Sequence, residues 1–492
     1  MSWKETAAPV LTRMPTVSRP EGHVPFRRKL GWTAGVLVLY FFLTNVIIWG
    51  LEGTGTDAFG QFRTILAGGQ GSILQLGIGP IVTASIVLQL LGGADLLGLD
   101  TNDPRDQAIY QGLQKVLVVV MVFLTGIPLV FLGNFLPASE QLAGALGIPT
   151  WGISWLIFAQ IAVGGILVLF MDEVISKWGV GSGIGLFIVA GVSQNLVGGF
   201  LSWGGAAGQP GFFATWFGIL TGQVNTGPLT QMSGIETLVF GQGQLLALVT
   251  TLLIFGIVVY AESVRVEIPL SHSQVRGARG RFPVKLIYAS VLPMILVRAL
   301  QANIQFLGRI LASQLGDSMP AWLGVYQTTQ SGLQPVGGLF YYFAPIYSPQ
   351  EWIPALSTQP VDILLRIAVD LSFMVVGGAI FAIFWVETTG MGPEATAQQI
   401  QRSGMQIPGF RKSPGVMEKV LERYIPQVTV IGGALVGLLA VAANMLGTIG
   451  TVSGTGLLLT VSITYKLYEE IAEEQLMEMH PMMRQMFGQS SD

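Results

Sequence analysis

The sequence contains little charge and no cysteine. Asp, Glu, Lys and Arg account for 11% of its 492 residues, and hydrophobic residues account for 51%. A typical soluble domain carries about 25% charged residues. So few charged side chains could not cover the surface of a soluble protein of this size, and the composition predicts a polytopic membrane protein. The lack of cysteine excludes disulfides, thiol catalysis and cysteine-based metal sites.

Signals for metal, nucleotide or nucleic-acid chemistry are also missing. The three histidines, His23, His272 and His480, lie far apart and form no HExxH pair. No GxxxxGK(S/T) motif for a nucleotide phosphate occurs. The net charge of −3 gives no basic excess for binding nucleic acid. We therefore expect no metal site, no cofactor, no direct nucleotide binding and no enzymatic activity, so the energy for any transport must come from elsewhere.

Long apolar runs are abundant, and ten of them approach the roughly 20 residues that a spanning helix requires. The predicted spans cover about 31–50, 74–93, 113–133, 152–170, 183–202, 244–262, 284–306, 361–386, 427–447 and 452–468. Residues 1–29 are polar and basic, and the apolar run after them is long enough to span. This pattern does not resemble a cleaved signal sequence.

Basic residues are distributed unevenly among the loops. They concentrate in the N-terminal segment and in the loops near 263–285 and 387–425. The loops near 134–151, 203–243 and 447–452 contain neither Lys nor Arg. By the positive-inside rule, ten spans with both termini in the cytoplasm fit this pattern.

Two apolar stretches outside the spans are too short to cross a membrane. Residues 211–220 read GFFATWFGIL, and residues 339–347 read LFYYFAPIY. Aromatic side chains favour the headgroup region of a bilayer. We expect both stretches to cap the outer face.

Three predicted spans are less apolar than the others. The second begins with Gly77, Gly79 and Pro80, the fifth carries Ser–Gln–Asn at 193–195, and the seventh carries Arg298 among several amides. Such features are tolerated at membrane depth where they face protein or a water-filled path. In a five-plus-five division the interrupted second and seventh spans correspond, which points to a substrate path between two halves. The residues alone leave open a channel, a secondary transporter of a small solute, and a non-conducting scaffold.

The few charged residues near the membrane bear on this choice. Asp362, Arg366 and Asp370 are spaced four residues apart at the start of the eighth span. We expect them to form one ion-pair network along the helix face. For Arg298, an acidic partner and an outer water-filled funnel are both open. No carboxylate falls in the middle of the second, fifth or tenth span, which disfavours a proton-coupled transporter.

Five regions, in order along the chain, resemble the SecY family, whose members form the central subunit of the protein-conducting translocon. They are LGIGPIVTASIVLQLL at 76–91, SKWGVGSGIGLFIVAGVSQ at 176–194, YAESVRVEIPLSH at 260–272, FWVETTGMGP at 384–393 with GFRKS at 409–413, and GTGLLLTVSITYKLYEE at 454–470. The resemblance covers about 10–485 and is to the archaeal-type branch. It implies an all-α polytopic membrane protein with ten transmembrane helices, arranged as two pseudo-symmetric inverted five-helix halves that form a clamshell pore.

The resemblance also divides the chain into regions within the cell (cytoplasmic) membrane. The expected regions are a cytoplasmic N-terminal segment at 1–30, an N-terminal half at 31–202, an external loop at 203–243, a C-terminal half at 244–468 with cytoplasmic loops at 263–285 and 387–425, and a cytoplasmic C-terminal tail at 469–492. Signal sequences and unfolded polypeptides are the implied substrates.

A ring of aliphatic side chains at the waist of the pore, here called the pore ring, is the first site that the resemblance implies. Apolar side chains at a narrow constriction exclude water and hydrated ions, and they let a chain of any sequence slide past. Such residues are common in membrane helices, and without the motifs ordinary packing would explain them. The matching positions are Ile78, Val82, Ile184, Ile188, Ile295 and Leu459.

A plug and a lateral gate are also implied. Residues 54–68, TGTDAFGQFRTILAG, match the segment that blocks the ring of an idle channel, although Arg63 departs from a wholly apolar plug. The lateral gate would lie between spans two and three on one side and seven and eight on the other. There, mutual hydrogen bonds of Thr83, Thr125 and Asn303 would oppose opening. The plug residues are Asp57, Phe59, Phe62, Arg63, Ile65 and Leu66.

The two large basic loops match those that dock the ribosome in the family. Arginine suits phosphate contact, and such binding is salt-sensitive. The positive-inside rule alone would also place basic residues here. The matching residues are Arg276, Arg279, Arg281, Arg411 and Lys412. The resemblance further implies two small single-span partners, a SecE-type gamma subunit and a beta subunit, in a heterotrimer.

Overall fold

The structure is a computed structural model that is mostly helical. It describes residues 8–9, 11, 13–22, 24–53, 57–93, 97–99, 104–133, 135–204, 210–223, 232–241, 243–272, 279–285, 292–329, 332–353, 360–402, 405–406, 414–450 and 452–479. Ten helices in these ranges are 15 residues or longer. They are α1 Phe26–Asn45, α3 Gly79–Gly93, α4 Pro104–Ile127, α6 Thr150–Trp178, α7 Gly183–Leu201, α10 Leu245–Ser263, α11 Leu292–Leu315, α14 Pro360–Thr388, α16 Pro414–Leu446 and α17 Gly454–Met479.

Shorter elements lie between the long helices. The short helices are α2 Arg63–Leu66, α5 Glu140–Leu146, α8 Phe212–Leu220, α9 Met232–Val239, α12 Leu339–Tyr342, α13 Pro349–Trp352 and α15 Pro393–Arg402. A π turn at Pro128–Leu132 extends α4, and single 3₁₀ turns occur at Gly60–Phe62 and Gly316–Ser318. The strands are β1 Arg265–His272, β2 Arg279–Lys285, β3 Val325–Thr329, β4 Gly332–Gly337 and β5 Met405–Gln406.

Each predicted span coincides with one of the ten long helices. Six of these helices, α4, α6, α7, α10, α14 and α16, are long and apolar enough to cross a membrane. Of the other four, α3 is apolar but only 15 residues long, and α11 carries the polar residues that the sequence singled out. Several helices extend past their predicted spans, and the longest extensions are those of α16, which begins at Pro414, and α17, which continues to Met479.

The long helices form two groups that meet along two seams. Helices α1, α3, α4, α6 and α7 make up the first group, and α10, α11, α14, α16 and α17 make up the second. Helix α3 packs against α11 and α14 along one seam, and α7 packs against α17 along the other. One apolar cluster draws residues from both groups, so the core lies where the seams converge.

Close helix approach within the second group depends on glycine. A Cβ on Gly433 of α16 would lie 2.5 Å from the carbonyl oxygen of Gly378 on α14. This is far closer than real contacts allow, so only glycine lets these backbones approach. Small residues serve the same purpose in membrane helix pairs generally.

The predicted ion-pair network along α14 is wrong. Asp362 is exposed. Arg366 donates a 3.0 Å hydrogen bond to the carbonyl oxygen of Ala344 and pairs with Glu351 at 3.1 Å. Asp370 instead faces α11. A buried charge requires hydrogen bonds as well as an opposite charge, and these are supplied by neighbouring segments rather than by the next turn of the same helix.

Two small sheets, which the sequence did not predict, lie in the connections. Strands β3 and β4 form an antiparallel hairpin. Strand β1 pairs antiparallel with β2 on one edge and with β5 on the other, giving the order β2–β1–β5. Because β5 belongs to the second large basic loop, this sheet joins the two loops that the sequence treated separately.

The extended end of α17 contacts both helix groups. Glu474 pairs with Lys29 at the start of α1, and Glu469 pairs with Lys285 at the end of β2. All four side chains are partly exposed. The extension of α17 therefore ties the start of the first group to a loop of the second.

Candidate pore and gate

The six residues predicted to form the pore ring come from four segments of both helix groups. Ile78 immediately precedes α3 and Val82 lies within it, while α7, α11 and α17 supply the others. Ile184 is partly buried and packs against the same apolar cluster as the rest. The other five side chains are at most 2% exposed, namely Ile78, Val82, Ile188, Ile295 and Leu459. A continuous apolar contact thus joins the two groups.

Asp172, near the end of α6, fixes the first turn of α7. Its Oδ1 accepts a 2.9 Å hydrogen bond from the backbone N–H of Ile184. Ser182, at the usual capping position, makes no side-chain cap. A Cβ on Gly183 would lie 2.5 Å from the same Oδ1, so glycine is needed there. Sequence reasoning did not identify Asp172 as a positioning residue for the ring, because the cap comes from another helix.

The plug lies directly against the ring. The carbonyl oxygen of Leu66 accepts a 2.8 Å hydrogen bond from the backbone N–H of Ile78. This contact requires Gly77, whose φ is +52° and whose added Cβ would lie 2.1 Å from the same oxygen. On the first helix group, the Tyr40 hydroxyl donates to the carbonyl oxygen of Ala67 at 2.9 Å.

The other end of the plug is held by the second helix group. Arg309 of α11 donates from Nη1 to the carbonyl oxygen of Ala58 at 2.5 Å. Its guanidinium covers Gly60, where an added Cβ would lie 3.2 Å from Nη2. One turn before Arg309, the Phe306 ring stacks on Phe59 with centroids 5.2 Å apart. The plug therefore bridges the two groups, and Arg309 is a second residue that the sequence did not identify.

Arg63 and Asp57 pair within the plug. Arg63 Nε lies 3.2 Å from both carboxylate oxygens of Asp57, and the backbone N–H of Phe59 donates to Asp57 Oδ1 at 3.0 Å. Burial alone would raise the pKa of Asp57, but the Arg63 guanidinium and these N–H donors lower it below its usual value. The pair explains how a charged residue fits a plug whose Phe59, Phe62, Ile65 and Leu66 are at most 6% exposed.

The seam between α3 and α11 holds two of the three predicted gate residues together. Asn303 Nδ2 donates to Thr83 Oγ1 at 3.0 Å, and the Thr83 hydroxyl donates to the carbonyl oxygen of Gly79 at 2.9 Å. Thr125, on α4, is partly buried and is bonded to neither of them. The polar contact at this seam is therefore a pair rather than a trio.

Helix α11 is held to the rest of its group by a buried charged network. Arg298 and Asp370 are each 1% exposed and lie 3.6 Å apart. Gln301 joins them, because it accepts from Arg298 Nη1 at 2.5 Å and donates to Asp370 Oδ1 at 2.8 Å. Arg298 Nε also donates to Thr455 of α17 at 3.2 Å. Arg298 therefore has an acidic partner, and α11, α14 and α17 are linked as one body.

The predicted docking residues are only partly described. Arg276, Arg411 and Lys412 lie outside the described residues. Arg279 and Arg281 lie on β2, where their backbones pair with Ser271 and Pro269 of β1. The β2–β1–β5 sheet brings the backbones of the two basic loops together.

These features together define the class of protein to which the chain belongs. The described part of the chain has ten long helices, six of which are long and apolar enough to cross a membrane, and the short plug segment packs into the main apolar cluster. The chain is a multi-pass membrane protein of helical-bundle type, with an apolar cluster that draws residues from both helix groups.

Comparison with known proteins identifies the family. The SecY family profile matches residues 72–468, and a profile described as the plug domain of Sec61p matches residues 38–71. The protein translocase subunit SecY of Haloferax volcanii is 74% identical over 99% of this chain and 100% of its own length. That of Archaeoglobus fulgidus is 49% identical over 98% of both chains. The chain belongs to the SecY family.

Solved structures agree with this assignment. A structure described as that of a protein conducting channel matches with a TM-score of 0.78 and 38% identity, covering 96% of this chain and 98% of its own. Sec61 in the canine ribosome–channel complex from the endoplasmic reticulum matches with a TM-score of 0.75 and 37% identity, over 96% and 98% of the two chains. The predicted ten-helix polytopic fold is thereby confirmed.

Proposed function

We propose that this chain is the central subunit of a protein-conducting channel, a passive gated pore. It passes unfolded polypeptides across the cytoplasmic membrane and releases transmembrane segments to lipid through a lateral gate. The family assignment and the solved channel structures support this reading, and they give no support to a secondary transporter of a small solute. Both termini and the two basic loops face the cytoplasm in this proposal, in keeping with the distribution of Lys and Arg.

One observation carries the mechanism: the plug contacts the predicted ring and is held at its two ends by different helix groups. Ala67 is bonded to Tyr40 of the first group, and Ala58 is bonded to Arg309 of the second. Separation of the groups cannot preserve both contacts at once. A nascent chain that parts the groups therefore also loosens the plug.

The position of the gate follows from a comparison of how strongly α11 is held to each of the two helix groups. Toward the first group, α11 makes ordinary hydrogen bonds: Asn303 donates to Thr83 of α3, and Ser313 and Gln314 donate to the carbonyl oxygen of Leu132 at the end of the α4 extension. Toward α14 and α17, α11 is held by the buried network of Arg298, Gln301 and Asp370. Breaking a buried charge pair costs about 3–5 kcal/mol, whereas a hydrogen bond between membrane helices contributes roughly 0.6 kcal/mol on average. The seam between α3 and α11 is therefore the one that opens.

Partners follow from the same assignment. One matched structure is Sec61 in a ribosome–channel complex, which supports the ribosome as a partner of the β2–β1–β5 sheet and the loops around it. We further propose a SecE-type gamma subunit and a beta subunit. Elongation of the nascent chain, or a partner motor, would supply the energy for transport.

Site-specific crosslinking tests the proposal. A photoreactive residue is placed at Ile184 of the predicted ring and, as a matched control, at Val38 of α1, which is 69% exposed on the outer surface of the bundle. Ribosomes stalled with a signal-bearing nascent chain are then added. Crosslinks to the nascent chain from Ile184 and not from Val38 are expected. With the ribosome bound, no crosslink from Ile184 would overturn the assigned pore axis.

A further inference from the structure

Helix α8, Phe212–Leu220, exposes three of its large apolar side chains and buries two small residues. Phe213, Phe217 and Leu220 are 50%, 53% and 81% exposed. Thr215 and Gly218, on the other face, are buried. A surface helix of a soluble protein has the opposite arrangement, so the outward face of α8 is built for an apolar environment.

The exposed face of α8 continues an exposed apolar surface at the end of α7. Val197 and Leu201, near the end of the membrane-length helix α7, are 53% and 61% exposed. Trp203 follows at 68% exposure, and its ring lies 5.7 Å from that of Phe217. The end of α7 and the start of α8 are in contact, because the N–H of Gly211 donates to the carbonyl oxygen of Ser202 at 2.7 Å. Helix α8 therefore begins where α7 leaves the membrane.

Length and charge determine how α8 can meet the bilayer. Nine residues of helix extend about 13.5 Å, far less than the roughly 30 Å of hydrocarbon in a bilayer. Residues 201–223 contain no Asp, Glu, Lys or Arg. An uncharged, aromatic and short helix at the end of a span is suited to lie along the interface.

We propose that α8 and Trp203 form an interfacial anchor whose partner is the lipid of the outer leaflet. The aromatic and aliphatic face of α8 enters the boundary between headgroups and acyl chains, and the Thr215–Gly218 face rests on the protein.

The position of this anchor matters for opening, and this step rests on the proposed function. Phe200 of α7 contacts the rings of Phe212 and Phe213, at 6.1 and 5.9 Å between centroids. The Trp216 indole N–H donates to the carbonyl oxygen of Gly243 at 2.9 Å, just before α10 begins. The anchor thus joins the last helix of the first group to the first helix of the second. It holds this connection at a fixed depth while the opposite seam opens.

The absence of cysteine from the chain makes a direct test possible. Single variants Phe217→Cys, Leu220→Cys and Trp203→Cys carry a nitroxide label in the full chain. The protein is reconstituted, with the subunits that copurify with it, in vesicles of phosphatidylcholine and phosphatidylglycerol. Collision rates with oxygen, which favours lipid, and with a water-soluble nickel chelate give the depth of each label. Val249→Cys, at a position 58% exposed on α10, is the lipid reference; Glu236→Cys, at an exposed position of α9, is the water reference.

The three labels are expected to give an oxygen-to-nickel ratio several-fold above that of Glu236 and below that of Val249. A ratio equal to that of Glu236 would overturn the proposal, because the face would then be in water. Low access to both reagents would also overturn it, since a protein partner would then cover the face. These depths are measured on the resting protein, so their interpretation does not depend on whether the protein translocates polypeptides.

The constant depth of the anchor during opening is tested by adding stalled ribosome–nascent chain complexes to the same labelled samples. The depth of the Phe217 label is expected to stay constant while a label at Thr83 of the seam becomes more accessible. A change in depth at Phe217 would overturn the constant depth and leave the lipid contact intact. Failure of the proposed channel would appear separately, as the absence of nascent-chain crosslinks from Ile184.

Discussion

At the scale of single residues, Arg309 connects the plug to α11, a helix of the proposed gate. Asn303, Phe306 and Arg309 are three residues apart on α11, so they share one side of the helix. The first bonds across the seam, and the other two hold the plug. A shift of α11 away from α3 is therefore also a shift of the plug.

Replacing Arg309 by Leu should raise the ion leak of the resting channel. A hydrogen bond from a charged group contributes about 1.5–3 kcal/mol, which corresponds to roughly a 10- to 100-fold increase in the fraction of displaced plugs. Conductance in planar bilayers measures this leak. The matched control Arg309→Lys keeps the charge and should restore most of the seal. A leak equal to that of the unmodified channel in Arg309→Leu would show that this contact does not hold the plug.

Plug seating should also depend on acid through Asp57. The pKa of this carboxyl is lowered in the seated plug, so its contribution is complete above the ordinary value of about 3.9 and is lost as the pH falls through the lowered value. The channel should stay sealed between about pH 5 and 8 and begin to leak below about pH 4, as measured by conductance. Asp57→Asn, the control, should leak at neutral pH and respond little to acid. Identical pH profiles for the two proteins would contradict this assignment.

Arg298 shows that the ion-pair partner of a buried charge cannot be predicted from sequence spacing. The spacing of Asp362, Arg366 and Asp370 predicted pairing along one helix, yet Asp370 pairs with Arg298 of another helix. Spacing reports only neighbours on the same helix, whereas a buried charge takes the partner that tertiary packing supplies. Arg309 and Asp172 were missed for the same reason, because each acts on a backbone group distant in sequence.

At the scale of elements, the seam between α3 and α11 is the proposed gate, and its hydrogen bond should affect how readily the gate opens. Asn303→Ala or Thr83→Ala removes one hydrogen bond, worth roughly 0.6–1.7 kcal/mol between membrane helices. The closed state should lose about three- to twentyfold in relative population. Signal sequences of lower hydrophobicity should then be accepted, which a series of graded signal reporters measures.

Thr125→Ala serves as the control for the gate, because Thr125 is bonded to neither partner. It should leave the hydrophobicity threshold unchanged, and the double variant of Thr83 and Asn303 should be no more permissive than either single variant. An equal effect of Thr125→Ala, or additive effects of the pair, would contradict a gate held by this bond.

Elements differ in how well the sequence predicts them. The ten helices could be located from hydropathy, since burial in lipid demands a long apolar run for each. Their polar ends could not, because α16 and α17 continue into water, where hydropathy carries no signal. The pairing of β5 with β1 was missed because it joins loops more than 100 residues apart, which local pattern does not report.

At the scale of the whole molecule, the joined basic loops form the proposed docking surface. Arg411→Ala should weaken ribosome binding and reduce its dependence on salt, because removing one phosphate contact lowers the slope of log affinity against log salt by about one. Binding measured across a salt series checks this. Arg265→Ala, an exposed arginine at the start of β1, is the control and should change binding less. An unaltered affinity for Arg411→Ala would leave membrane orientation as the only role of that residue.

The extension of α17 has a consequence for how the molecule responds to its medium. Its partly exposed carboxylates pair with Lys29 of the first helix group and with Lys285 of the second. Dissolved ions screen such pairs. The Debye length, beyond which the attraction between two exposed charges is largely lost, falls from about 10 Å at 0.1 M salt to about 3 Å at 1 M. The buried network around Arg298 is out of reach of the solution and keeps its strength. In concentrated salt the pairs at the end of α17 should therefore weaken while the buried network keeps its strength, so that ionic strength tunes one of the contacts between the two groups.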